Sequence, residues 1–194
     1  MQAMKSPASH HRILLVRHTE IDQNFKGICY GQTDVSLSSS GIEALAPLAK
    51  HLRAQNPSQI FHSGKQRTRC LADLLAKLMT QEGASIPTRQ DKRLAELNFG
   101  NWECQTWDAI YAEHGDDIGR LVTEPETFAP PGGETVFQLR DRMLNWYNGL
   151  PSEGIIVAIT HGGPISALLG TLSASPAYDW PNLVPAYGTV TPIK

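Results

Sequence analysis

Ile13-Leu14-Leu15-Val16-Arg17-His18-Thr19-Glu20 and Ile155-Ile156-Val157-Ala158-Ile159-Thr160-His161-Gly162-Gly163 decide how this chain folds. Each opens with a short unbroken apolar run containing β-branched side chains. That pattern predicts a strand buried on both faces, as in a parallel sheet covered by helices. Each run stops abruptly at a polar group containing a histidine, and Pro164 stands where a following helix would begin. Outward from these strands, Gln59-Ile60-Phe61-His62 reads as a weaker strand ending at Ser63-Gly64. Lys65 to Met79 predicts an amphipathic helix with Leu71, Leu74, Leu75 and Leu78 on one side. Ser40-Gly41-Ile42-Glu43 fits a capping box, followed by a stripe of Ile42, Leu45, Ala46, Ala49 and Leu52. Pro47 inside that helix predicts a kink at a cost of about 3 kcal/mol. Trp107, Ile110 and Tyr111 suggest another helix, and Val136, Phe137, Met143, Leu144 and Tyr147 a longer one. Residues 124–133, rich in Pro and Gly, form a loop between them, and Tyr187 to Thr191 reads as a last edge strand. Strands alternating with helices imply an α/β layered sheet.

The composition bounds the rest. A chain of 194 residues, 41% hydrophobic and 19% charged, buries about 70% of its unfolded surface in one domain. That domain is expected over residues 12–194, behind a flexible tail at 1–11 that holds His10-His11. A formal charge of -2 argues against a protein held to nucleic acid or an anionic membrane by its overall field, while leaving local basic pockets open. Cys29, Cys70 and Cys104 form no CxxC pair, which disfavours a disulfide framework or a structural zinc and points to a reducing compartment. No stretch approaches the ~18 apolar residues that span a bilayer, and the first residues lack the apolar segment of a secretory signal. A cytoplasmic protein is expected.

The chemistry concentrates at strand ends. His18 and His161 each follow a buried strand, the position where open α/β sheets bind ligands. One histidine at an exposed strand-end loop is ordinary; two, one beside Arg17, are not. A guanidinium matches two phosphate oxygens at once, and a neutral imidazole is a competent nucleophile near pH 7. Ser63-Gly64-Lys65-Gln66-Arg67-Thr68 sets a second arginine at a helix N-terminus, where free N–H groups also favour an anion. Taken alone, Arg67 reads as a surface arginine lying over its own apolar stripe; its misfit with a first turn that prefers acids is what speaks for a ligand role. No His/Asp/Glu cluster has metal-ligand spacing, and neither metal nor cofactor is expected.

Four blocks carry a resemblance. Leu14-Leu15-Val16-Arg17-His18-Thr19-Glu20 with Asn24, Ser63-x-x-x-Arg67-Thr68-x-x-x-Ala72, Leu94-Ala95-Glu96-Leu97-Asn98-Phe99-Gly100-Asn101-Trp102-Glu103 and Thr160-His161-Gly162-Gly163 stand in one order. They resemble the motifs of the histidine phosphatase superfamily, the phosphoglycerate mutase-like proteins, over roughly residues 12 to 170. The resemblance implies a three-layer fold with a mostly parallel central sheet and helices on both faces. It implies a phosphomonoesterase with His18 as the nucleophile that carries a phosphohistidine. Arg17, Arg67 and His161 would hold the phosphoryl oxygens, with Asn24 and Gly162 also binding substrate. Glu96 would act as proton donor and acceptor, with Glu103 and Glu20 in reserve. The cations would stand in for a metal.

Two positions depart from the family pattern: Thr19 and Cys104 stand where glycine is usual, and Thr19 predicts a slightly different phosphate loop. Mutase relatives carry longer insertions over the site, so this compact chain favours hydrolysis. Residues 27–34 are similar to the corresponding segment of α-ribazole phosphatases of the cobalamin pathway, and Pro131-Gly132-Gly133-Glu134 resembles a loop that borders the substrate pocket in phosphatase branches. α-Ribazole 5′-phosphate is one implied substrate. A broad-specificity small-molecule phosphatase, a phosphoglycerate mutase-type transferase and a non-catalytic phosphoryl-binding module are the alternatives. The oligomeric state and the role of Cys29 stay open.

Overall fold

The computed structural model describes residues 12–81 and 83–193. Its strands are β1 (Arg12–Arg17), β2 (Gln59–His62), β3 (Thr88–Gln90), β4 (Ile155–Thr160) and β5 (Val190–Ile193). They form one sheet in the order β3-β2-β4-β1-β5. Neighbouring strands run parallel, except that β5 lies antiparallel on β1 at the edge. The helices are α1 (Ser39–Glu43), α2 (Leu45–Arg53), α3 (Gln66–Gln81), α4 (Trp107–His114), α5 (Asp117–Thr123), α6 (Val136–Asn148) and α7 (Gly162–Leu172).

Because side chains alternate along a strand, the sheet sorts its apolar residues into two cores. Leu14, Val16, Ile60, Val157 and Ile159 pack with Ala49 and Leu52 of α2 and Leu71, Leu75 and Met79 of α3. Ile13, Leu15, Phe61, Ile156 and Ala158 pack on the other face with Leu139, Met143 and Trp146 of α6 and Ile165 and Leu168 of α7. The result is the expected three-layer α/β architecture.

Local expectations fail where a short helix is involved. The cap at the start of α1 is Ser38, not Ser40: its hydroxyl accepts from the Gly41 N–H at 2.9 Å. The segment then breaks at Ala44 into α1 and α2, which leaves Pro47 in the first turn of α2. There a missing N–H costs nothing, because first-turn N–H groups have no intrahelical partner, so no kink is needed. The break also turns Ile42 (58% exposed) and Ala46 out of the stripe, which is carried by Leu48, Ala49 and Leu52. A true capping box sits on α6, between Thr135 and Gln138. β3 is short, polar and exposed, with nothing in the sequence to reveal it, and α5 carries only one short turn of periodicity, Ile118, Leu121 and Val122. The last strand starts at Val190, three residues beyond Tyr187, and tolerates Pro192 because it pairs only with β1. The tail at 1–11, with His10-His11, lies outside the described residues.

Candidate active site

Sheet register brings the histidines together. β1 and β4 are parallel neighbours with Arg17 opposite Thr160, so the next residue on each strand stands at the same height. Those residues are His18 and His161, with ring centroids 5.2 Å apart. β2 flanks β4 on its other side and ends with His62 opposite Ile159. The chain then turns through Ser63 into α3, which delivers Arg67 from its second position. Both histidines and Arg67 are buried, not exposed on a loop as the sequence suggested for His18.

Hydrogen bonds settle the proton positions. Nδ1 of His18 lies 2.8 Å from the Thr19 carbonyl, which can only accept; Nδ1 therefore carries the hydrogen and Nε2 keeps its lone pair. Arg67 Nε donates to His161 Nδ1 at 3.2 Å, so the His161 proton sits on Nε2 and points to Ser63 Oγ at 2.8 Å. The chain of bonds continues from Ser63 to Thr68 Oγ1 and on to the Lys65 carbonyl. Burial lowers the pKa of His18 to about 3, with Arg67 and Arg17 adding to the effect. Burial, then Arg67 and His18, holds His161 well below the usual histidine range. Both rings are neutral at pH 7.

Arg67 also donates to the carbonyls of Thr33 (2.8 Å) and Gly31 (2.7 Å). That loop is held in turn by Glu103. Its carboxylate accepts from the N–H groups of Gln32 and Thr33, each at 2.8 Å, and from the Thr33 hydroxyl at 2.6 Å. A Cβ at Gly31, whose φ is +42°, would collide with the same carboxylate. Glu103 is thus a loop anchor rather than a reserve acid. Glu20 is likewise occupied, accepting from the hydroxyls of Ser38 and Ser40.

Arg17 donates from Nη1 to the Pro185 carbonyl at 2.6 Å, and its guanidinium lies 4.0 Å from the ring centroid of Tyr187. The Tyr187 hydroxyl meets that of Tyr30 at 3.3 Å, and Tyr30 in turn covers Arg67. Arg17 Nε and Thr19 Oγ1 are both buried without a hydrogen-bond partner. Such groups are rare in folded proteins, and these two flank His18 in sequence. Thr19 itself is not among the residues with positive φ, so it imposes no strain where the family has glycine. Cys104 is: its φ is +69°.

Glu96 accepts from the Leu97 N–H at 2.8 Å and from the Gly163 N–H in the first turn of α7 at 3.3 Å. A Cβ at Gly163 would strike its carboxylate, and one at Gly162 would press on Val184 and reach Arg17. Arg142 of α6 pins this segment by donating to the carbonyls of Arg93, Ala95 and Glu96, while its other contact is the Glu134 carboxylate. Pro131-Gly132-Gly133-Glu134 therefore braces Glu96 rather than bordering the cavity, whose wall resumes only at Val136. Asn24 makes no side-chain contact with the buried histidines or Arg67 among the hydrogen bonds of the site. It is exposed on a 3-10 turn capped by Asp22, and Gln23 and Phe25 line the cavity on either side of it.

That cavity, about 880 Å³, opens beside the buried histidines, where Tyr30, Gly31, Glu96, Gly162, Gly163 and Tyr187 form its floor. Phe25, Phe99, Trp107, Leu139 and Trp180 supply much of the remaining wall. Cys29 is buried, and burial with Glu103 pushes its thiol up to about 12, which disfavours the thiolate on which cysteine reactivity depends. The sequence did not single out Tyr30 or Tyr187 as site residues. The available signal was weak: each is an aromatic directly before a glycine in a loop, Tyr30-Gly31 and Tyr187-Gly188.

The profile of the histidine phosphatase superfamily (branch 1) matches residues 13–194. Among named relatives, glucosyl-3-phosphoglycerate phosphatase of Mycobacterium tuberculosis is 30% identical over 184 residues, covering 89% of this chain and 79% of that protein. Among solved structures, Bacillus stearothermophilus YhfR matches with a TM-score of 0.81 at 26% identity, covering 95% of this chain and 91% of that one. The α-ribazole phosphatase of Shigella flexneri matches with a TM-score of 0.76 over 94% of this chain and 90% of that one. Its 22% identity establishes likeness of fold alone.

Proposed function

The chain belongs to the histidine phosphatase superfamily, and within it we propose that it is a phosphomonoesterase that needs no metal and works through a phosphohistidine on Nε2 of His18. The observation that carries this reading is the free Nε2 lone pair of a neutral, buried His18, fixed by the Nδ1–H bond to Thr19. Beside it stand two guanidinium groups with donors to spare. Arg67 has three of its N–H groups bonded within the protein out of the five a guanidinium offers, and Arg17 Nε has no partner.

In the first step Nε2 of His18 forms a bond to phosphorus as the ester P–O bond breaks in line. Positive charge develops on the imidazole, and the Thr19 carbonyl at Nδ1–H stabilises it. Arg17 and Arg67 hold the charge on the transferred phosphoryl group, the usual source of rate in such reactions. His161 serves this step by orienting Arg67. Its own N–H is spent on Ser63, so a direct bond to phosphate requires that bond to exchange. The leaving oxygen takes a proton from the Glu96 carboxyl. In the second step Glu96 accepts a proton from water, water attacks phosphorus, the N–P bond breaks, and inorganic phosphate leaves with His18 neutral again.

Glucosyl-3-phosphoglycerate and α-ribazole 5′-phosphate are the first named esters to assay. The test of mechanism is independent of both. Phosphate release from p-nitrophenyl phosphate should persist in EDTA, and acid-free denaturation during turnover should trap phosphate in a base-stable, acid-labile linkage. A base-labile adduct would assign the nucleophile to a carboxylate, and activity that disappears with chelation and returns with a divalent ion would overturn the metal-free reading. Binding of phosphate without any turnover would make the chain a phosphoryl-binding module.

A further inference from the structure

The wall of the cavity beside His18 has the wrong charge for a substrate with a second anionic group. Among the described residues its charged lining is Glu20, Asp22, Lys26 and Glu96: three acids against one base, with no arginine and no histidine. Even with Glu96 protonated for catalysis, the acids outnumber the base. The arginines of the site are both committed to the phosphoryl end, Arg67 buried beneath Tyr30 and Arg17 against Tyr187. Elsewhere the wall is apolar and aromatic, from Phe25, Phe99 and Trp107 to Ile118 and Val122 of α5 and Trp180. A carboxylate or second phosphate seated there would lose its water and find no cation, which is costly. The volume, about 880 Å³, lies at the upper end of the ~300–1,000 Å³ common for drug-sized ligands. A three-carbon acid would leave most of it unfilled.

From this wall we infer that the substrate is a phosphate monoester of a bulky, uncharged alcohol with an aromatic or otherwise apolar body, and that phosphoglycerates are poor substrates. The inference rests on the phosphomonoesterase reading and refines it. Fused aromatic rings gain from contact with the aromatic wall as well as from burial. Specificity then comes from two sources: the fit of the apolar body, and exclusion of competing anions by the acidic rim.

Gly119 offers a clean way to test the charge argument. It lines the cavity from α5, and a Cβ built there meets nothing within 4 Å. Gly119→Arg therefore starts from a position with room for its Cβ and sets a cation on the cavity's α5 side. With the whole wild-type chain, kcat/KM for 1-naphthyl phosphate should exceed that for 3-phosphoglycerate by about 100-fold or more. Gly119→Arg should shift this ratio about tenfold toward 3-phosphoglycerate. In parallel, 1-naphthol should quench the fluorescence of Trp107 and Trp180, and 3-phosphoglycerate should not compete with it. Comparable rates for the two esters in the wild type would overturn the inference and leave the phosphatase reading standing. An unshifted ratio in Gly119→Arg would overturn the charge argument. If neither ester is hydrolysed yet 1-naphthol binds, the activity reading fails and the ligand class survives.

Discussion

At one end of the site, His18, Arg67 and His161 are buried and most of their polar atoms are bonded to named partners. At the other, Phe25, Ile118 and Val122 present only hydrocarbon to a cavity large enough for a drug-sized molecule. The first end is a directional network in a low-dielectric setting, where losing one member leaves the others unpaired. The second is a non-directional surface, where a substitution changes shape and area by small increments. In the proposed reaction, chemistry is therefore fixed in one place while substrate range can change in the other without disturbing it.

The largest effect should come from breaking the polar end at its centre. His18→Asn retains a polar side chain in the buried position but removes the proposed nucleophile. It should lower kcat by at least about 10^4-fold and abolish the acid-labile adduct, measured by phosphate release and by trapping the phosphoenzyme. More than about 1% of wild-type turnover, far above the residue expected after loss of a nucleophile, would remove His18 from that role.

Glu103→Gln probes the same network one layer out. It replaces an oxygen that accepts from loop N–H groups with an amide N–H that cannot. The 31–33 loop carries the carbonyls that hold Arg67, so kcat should fall about 10- to 100-fold, the equivalent of an unpaired buried donor. Glu103→Asp, which keeps the charge, should recover part of the loss. If the glutamine variant keeps full kcat, Arg67 does not depend on this anchor.

Acid should also distinguish the two ends. The pKa of His18 is about 3 in the folded chain, below its ordinary 6.5, so the unfolded chain binds the proton first as pH falls. Stability from this source is complete above pH 6.5 and is lost below it, by about 2 kcal/mol at pH 5. His161 and His62 shift in the same direction, whereas among the described residues no histidine lines the cavity. Urea denaturation at pH 7.5 and pH 5 should show the loss, and His18→Asn should reduce it. Equal stability of the wild type at the two pH values would contradict the burial of neutral histidines.

The smallest effect belongs to Cys104, which follows Glu103 in the left-handed region at φ +69°. Cys104→Gly relieves a conformation that costs an L side chain roughly 1–2 kcal/mol, offset in part by the entropy glycine loses on folding. A net gain of about 0.5–1 kcal/mol is expected, read as a higher Tm. A lower Tm would mean that the thiol's packing outweighs the strain.

The sequence alone determined the two strands that carry the histidines, because continuous apolar runs such as Ile13–Val16 and Ile155–Ile159 have few other uses in a layered α/β fold. It also marked His18 and His161 at strand ends and Arg67 at a helix start, while Glu96, in a loop, was marked only by the family resemblance. Only the tertiary structure decided what those residues do to one another. The pairing of His18 with His161 depends on β1 and β4 being neighbours, 143 positions apart in sequence (161 − 18). Glu103 looked like a spare acid until the fold put the 31–33 loop around its carboxylate. Asn24 matched a motif, yet the turn capped by Asp22 faces it to solvent. The cavity wall was least legible of all, since Phe25, Trp107, Val122 and Trp180 share no spacing and no motif. Local chemistry is written in short-range patterns, whereas a concave surface is made by long-range packing, and packing leaves no periodic mark on the chain.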